Sequence, residues 1–143
     1  IPGADSSGYQ FGQVAETLMS VLVDSSVWID YFAGQGEADA LEYLIEENLV
    51  VINDLILAEL LPALLLQKQA SVVALLRAVR RHPMKIDWED IIQLQALCLR
   101  NGINGVGIPD LIIAQNAIQG GLSLMSRDKH FILISKNTSL SLY

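Results

Sequence analysis

Four short apolar runs, Met19 to Asp24, Leu49 to Ile52, Met84 to Ile86 and Leu122 to Met125, punctuate the 143-residue chain, and between them the apolar residues fall at helical spacing. Runs of this length suit strands buried on both faces, and strands separated by one or two helices must be joined by crossovers. The pattern predicts an α/β domain with three α/β/α layers around a central, mostly parallel sheet of four or five strands.

The intervening segments carry their own signals. Ser25 and Ser26 follow the first run and lead into Val27, Trp28, Ile29, Tyr31 and Phe32, a cap followed by a helix. Leu41, Leu44 and Ile45, interleaved with Glu37, Asp39, Glu42, Glu46 and Glu47, predict an amphipathic helix with an acidic outer face. Asn53 and Asp54 cap a helix over Leu55 to Gln67, and a further helix is expected over Ala70 to Arg81, stopped by Pro83. Met84 to Ile86 is then the third strand. Asp87 caps a helix from Trp88 to about Arg100, and Pro109 sits in the first turn of another that Gly120 and Gly121 end. Ser126 to Phe131 is expected to be a polar turn, with Ile132 to Ile134 or Leu140 to Tyr143 as the fifth strand.

Apolar residues make up 52% of the chain, enough for a core without disulfides, and the single Cys98 has no internal partner. Cytoplasmic residence is therefore expected. Residues 1–18, rich in Gly, Ser and Gln, contain no Lys, Arg or apolar signal core; they are expected to be a leader or cloning remnant outside a single domain over 19–143. The greasiest stretch, Leu55 to Leu66, is too short to span a bilayer and is interrupted by Glu59 and Pro62, so no membrane association is expected. Net charge −7 conceals a separation: residues 1–59 hold eleven acids and no Lys or Arg, and residues 60–143 hold nine bases against five acids. A basic surface for a polyanion and a concentration of carboxylates can therefore coexist, although solvated helix faces explain the same pattern.

In open parallel sheets, ligands bind outside the carboxyl ends of the strands. Asp24 ends the first strand, Asp128 lies just beyond the fourth, Asp110 opens the preceding helix, and Glu59 sits on the helix after the second strand. Glu59 lies in a run so apolar that its helix is expected to be buried nearly all round, where an ionised carboxylate needs a partner or cation. Carboxylates that converge raise one another's pKa unless neutralised. With no Cys/His cluster, the donors are oxygens, which suit Mg²⁺ or Mn²⁺ and, with them, phosphodiester hydrolysis.

The segments Val21 to Asp30 (VLVDSSVWID), Leu57 to Pro62 (LAELLP), Gly107 to Ala114 (GIPDLIIA) and Ser126 to Phe131 (SRDKHF) resemble, in order, the motifs of PIN-domain ribonucleases, in particular VapC-type toxins of bacterial toxin–antitoxin pairs. The resemblance runs from residue 19 to about 135. It implies a metal-dependent endoribonuclease with Asp24, Glu59, Asp110 and Asp128 as the catalytic and metal-binding acids, Mg²⁺ or Mn²⁺ as cofactor, and Ser26 and Ser126 as supporting hydroxyls. It also implies RNA as substrate, a homodimer, and a cognate antitoxin that places a basic side chain or tail in the acidic groove. Gly107 departs from the pattern, since many relatives carry a hydroxyl residue there.

Arg127 and Lys129 flank Asp128 and are candidate RNA contacts; Arg77, Arg80, Arg81 and Lys85 form either a phosphate-tracking strip or a solvated face. Metal-dependent hydrolysis requires neither His82 nor His130, and His130 is expected to pack or hydrogen-bond within the turn. Trp28, Tyr31 and Phe32 are expected in the core or a dimer contact rather than on bases, Asp30 at the surface near the site, and Cys98 buried. The competing reading is a non-catalytic PIN-fold RNA-binding or regulatory module, against which stands the presence of all four acids. A phosphate-accepting receiver or phosphatase would need a second acid beside Asp24, where Ser25 and Ser26 stand instead.

Overall fold

A computed structural model describes residues 20–36 and 38–143; the segment 1–18, Met19 and Glu37 lie outside the described residues. The chain order is β1 (Val21–Val23), α1 (Ser25–Phe32), α2 (Ala38–Glu46), β2 (Val50–Ile52), α3 (Asp54–Leu66), α4 (Ala70–Ala78), β3 (Arg80–Arg81), α5 (Trp88–Arg100), α6 (Ile108–Gly120), β4 (Ser123–Met125), α7 (Lys129–Asn137) and β5 (Ser141–Leu142). Every strand pairing is parallel, in the order β3-β2-β1-β4-β5. The result is the expected three-layer α/β/α arrangement with five strands. No helix among the described residues is long and apolar enough to cross a membrane.

The core strands are three residues long and buried throughout β1 and β2, because helices cover both faces. Leu22, Ile52 and Leu124 lie at its centre with Trp28, Ile56, Leu111, Ile113 and Phe131 packed around them. Trp28 is fully buried and stacks on Phe32 with ring centroids 5.8 Å apart, so the α1 aromatics serve packing, as their spacing suggests. Cys98 is buried, and that burial pushes its thiol pKa up.

Two expected elements differ. The helix over 70–81 ends at Ala78, and Arg80–Arg81, not Met84 to Ile86, supplies the third strand. Val79 is already extended, Arg80 and Arg81 align with Val51 and Ile52, and the His82 backbone N–H donates to the Ile52 carbonyl at 2.8 Å. A buried edge of β2 in need of partners outweighs the helical period. Arg80 and Arg81 therefore do not continue a helical basic face: Arg80 donates to Ser20 Oγ and Arg81 pairs with Asp54 at 3.2 Å. Near the C-terminus, the expected polar turn leads at once into α7, which absorbs Ile132 to Ile134 and leaves Ser141–Leu142 as the fifth strand. Asp128 caps α7 by accepting from the His130 N–H at 2.9 Å.

Two buried asparagines tie the layers together. Asn53 caps α3 by accepting from the Ile56 N–H at 2.9 Å, and its Nδ2 donates to Asn116 Oδ1 at 2.9 Å. Asn116, on α6, in turn donates to the Pro83 carbonyl at 3.0 Å. Removing one partner leaves buried polar atoms unsatisfied. Asn53→Ala is therefore expected to lower unfolding free energy by about 1–3 kcal/mol in urea titrations, more than an uncoupled surface cap would cost; an effect below about 0.5 kcal/mol would show that the pair does not brace the fold.

Candidate active site

The sheet order reverses between β1 and β4, since the chain moves from β1 outward through β2 and β3 before returning to β1's other side. At such a reversal the flanking connections leave in opposite directions and open a crevice at the carboxyl ends of the strands. Val23 lies beside Met125 in register, so Asp24 and Ser126 emerge there together. Asp24 is only 6% exposed. Its backbone N–H donates to the Met125 carbonyl at 2.9 Å, and its Oδ2 accepts from Ser26 Oγ and Ser126 Oγ, both at 2.8 Å.

The two serines extend this network. Ser26 Oγ accepts from the Arg127 N–H at 3.1 Å and Ser126 Oγ from the Asp128 N–H at 3.0 Å, while the two hydroxyl oxygens lie 3.4 Å apart. One buried carboxylate thus sets the path of the loop from β4 to α7 and, through it, the position of Asp128.

Asp110 enters from the first turn of α6, where Gly107 is the N-cap and Pro109 occupies the opening turn. Its carboxyl pKa is raised, chiefly by burial and then by the negative charges of Asp128 and Asp24, with His130 pulling it the other way. Glu59 comes from α3, and its pKa is also raised, chiefly by desolvation and then by Asp24 and Asp110. These mutual repulsions join all four acids electrostatically. The expectation that the Glu59 helix is buried nearly all round does not hold. Ile56, Leu57, Leu60 and Leu61 face the core, but Ala58, Glu59, Ala63 and Leu66 are exposed, so Glu59 meets solvent and is only partly desolvated.

Ligand atoms of Asp110, Asp128 and His130 lie within 4.8 Å of one another, a spacing and donor set that fit a divalent cation. His130 Nδ1 stands 3.1 Å from Asp128 Oδ1, yet the atom is buried and the pair lacks hydrogen-bond alignment, so this nitrogen has no hydrogen-bond partner. Sequence reasoning set His130 aside; a lone histidine gives no spacing signal, and only the first turn of α7 brings it back over Asp128. Arg127 pairs with Asp30 at 3.5 Å and lies against Gly36, where a side-chain β-carbon would collide with its guanidinium. Lys129 is exposed at the start of α7.

A family model described as the PIN domain matches residues 21–137. No curated sequence matches the chain. Among solved structures, the chain is similar to VapBC2 from Rickettsia felis, solved bound to a DNA fragment from their promoter, with 20% identity, TM-score 0.69, and coverage of 87% of this chain and 98% of that one. It is also similar to DNA-bound VapBC from Salmonella typhimurium (17%, TM-score 0.68, coverage 87% and 97%) and to FitAcB from Neisseria gonorrhoeae (16%, TM-score 0.61, coverage 86% and 96%).

A carboxyl whose pKa is raised on folding holds its proton more tightly in the folded than in the unfolded chain, so stability falls as pH rises through the raised value and is regained on acidification. Asp110→Asn removes one of these charges. In metal-free buffer at neutral pH it is expected to raise the Tm by a few degrees, with the gain shrinking as pH is lowered toward the ordinary carboxylate range. A variant that melts below wild type at both pH values would contradict the repulsion.

Proposed function

The chain belongs to the PIN domain family, and from that premise we propose that it is a metal-dependent endoribonuclease that hydrolyses RNA phosphodiester bonds. The observation that carries this reading is the mutual nearness of Asp24, Glu59, Asp110 and Asp128: the pKa values of Glu59 and Asp110 are raised by burial first and then by the charges of Asp24 and Asp110 on Glu59 and of Asp128 and Asp24 on Asp110. Such an arrangement costs folding free energy and is useful when a cation offsets it.

Each acid has a position suited to its role. Asp24 is oriented by two hydroxyls, and Asp110 and Asp128 face each other from the openings of α6 and α7. These three acids would hold Mg²⁺ or Mn²⁺, with Glu59 at the solvent side completing the catalytic set. A bound ion would supply an activated water and charge stabilisation at the leaving oxygen. Ser26 and Ser126 act by fixing the Asp24 rotamer and the loop that carries Asp128. Lys129, and Arg127 where RNA displaces its pairing to Asp30, contact phosphate beside the cut.

The same reading makes the chain the toxin of a toxin–antitoxin pair, acting in the cytoplasm as a homodimer and silenced by a cognate antitoxin. It rests on the motif resemblance and on the shared fold with VapBC2 and VapBC. The acidic crevice would accept a basic antitoxin side chain by charge complementarity.

Purified chain incubated with structured and unstructured RNA is expected to cut in Mg²⁺ or Mn²⁺ and not in EDTA, and Asp110→Asn is expected to reduce the rate on the order of 100-fold or more. Equal cutting by wild type and Asp110→Asn would overturn the assignment. RNA binding without cutting, by folded protein with metal present, would identify a regulatory module instead.

Ser126→Ala removes a donor to Asp24 and an acceptor for the Asp128 N–H while leaving every acid in place. It is expected to weaken Mn²⁺ binding about tenfold, read by calorimetry, with Ser126→Thr restoring most of the loss. Unchanged affinity in Ser126→Ala would show that the hydroxyl does not orient the acids.

A further inference from the structure

We infer that His130 is a nitrogen ligand of the divalent ion held by Asp110 and Asp128, which makes the site favour Mn²⁺ over Mg²⁺. This inference rests on the metal-dependent reading above and adds to it a ligand that the four acids do not include. Three observations converge on the ring. Its Nδ1 is buried and has no hydrogen-bond partner, although a buried imidazole nitrogen ordinarily finds one. It lies 3.1 Å from Asp128 Oδ1, and its ligand atom lies within 4.8 Å of those of Asp110 and Asp128. Two atoms in neighbouring positions around one six-coordinate ion, each at about 2.1 Å, are about 3 Å apart, so the spacing accommodates two donors sharing a cation.

The rest of the ring is held in place. The His130 backbone N–H donates to Asp128 Oδ1 at 2.9 Å, which fixes the residue in the first turn of α7. The opposite edge of the imidazole is backed by Gly105, whose φ of +79° suits glycine; a β-carbon built there would lie 3.7 Å from His130 Nε2. With the loop behind Nε2, Nδ1 faces the carboxylates.

The chemical consequence is selectivity. Mg²⁺ is a hard ion that prefers oxygen and retains its waters, whereas an imidazole donor favours later first-row ions. Replacing one oxygen ligand by nitrogen therefore lowers the site's preference for Mg²⁺.

The test is Mn²⁺ binding to the full chain, followed by the loss of the free-ion electron paramagnetic resonance signal, with pulsed measurements of ¹⁴N coupling to bound Mn²⁺. The chain has two histidines, and His82 lies against Gly120 at the far end of α6 from Asp110, so imidazole coupling at this site reports His130. Wild type is expected to show imidazole coupling. His130→Gln is expected to lose it and to bind Mn²⁺ about tenfold more weakly, with Mg²⁺ affinity, read by competition, changed less than about threefold. Bound Mn²⁺ that is lost in Asp110→Asn but shows no imidazole coupling in wild type would overturn the His130 assignment and leave the metal site standing. Failure of wild type to bind Mn²⁺, or equal binding by Asp110→Asn, would overturn the metal reading and this inference with it. The wild-type spectrum decides the matter even if His130→Gln does not fold.

Discussion

Parallel pairing of β1 with β4 is the contact from which the site is built. It sets Val23 beside Met125, so the next residue of each strand leaves the sheet at the same point. A shift of one residue in that register would turn Asp24 or Ser126 to the opposite face of the sheet. Because Asp24 then accepts from both serine hydroxyls, and those hydroxyls accept from the backbone of Arg127 and Asp128, a few hydrogen bonds carry the sheet's order into the loop before α7. The acids farther away in sequence arrive on helices whose starts are also fixed, α6 by Gly107 and Pro109, and α3 by the Asn53 cap.

The fold was legible where local signals and tertiary demands agree. Apolar runs bounded by caps place β1, β2 and β4, and Asp87, Pro109 and Gly121 mark the ends of α5 and α6 because their backbone preferences suit those positions. It was not legible where β2 needed a partner on its outer edge. Arg80 and Arg81 carry no strand signal of their own and pair because Val51 and Ile52 present backbone groups that water cannot reach. At α7 the helix start is hidden in SRDKHF, where Asp128 serves as cap and acid at once and the polar composition reads as a turn.

The candidate site shows the same division. Strand ends announce Asp24 and Asp128, and the first turn of a helix announces Asp110, since these positions follow from the topology of a parallel sheet. Glu59 attracts notice for a reason the structure corrects: its apolar neighbours suggested full burial, but half of that apolar helix surface faces solvent, Leu66 being 85% exposed. Its raised pKa comes from partial desolvation and from Asp24 and Asp110, groups that are remote in sequence. His130 could not be singled out from sequence, because its significance lies in an orphan nitrogen and in the distance to a carboxylate.

The separation of charge along the chain acquires a spatial sense from this arrangement. Asp24 and Glu59 belong to the half without a base, so no basic residue near them in sequence can neutralise either. Arg127 reaches the Asp24 network through its backbone N–H to Ser26, but its guanidinium pairs with Asp30. Arg81 is likewise engaged by Asp54. Acids paired with arginine would have their pKa values lowered and their lone pairs occupied, which would stabilise the fold and disable the crevice. Directing the arginines to peripheral acids leaves Glu59 and Asp110 with pKa values raised by burial and by neighbouring carboxylates, a cost that the apolar core offsets. Positive charge is thereby held on Asp30 and Asp54, and among the described residues no arginine pairs with the four central carboxylates.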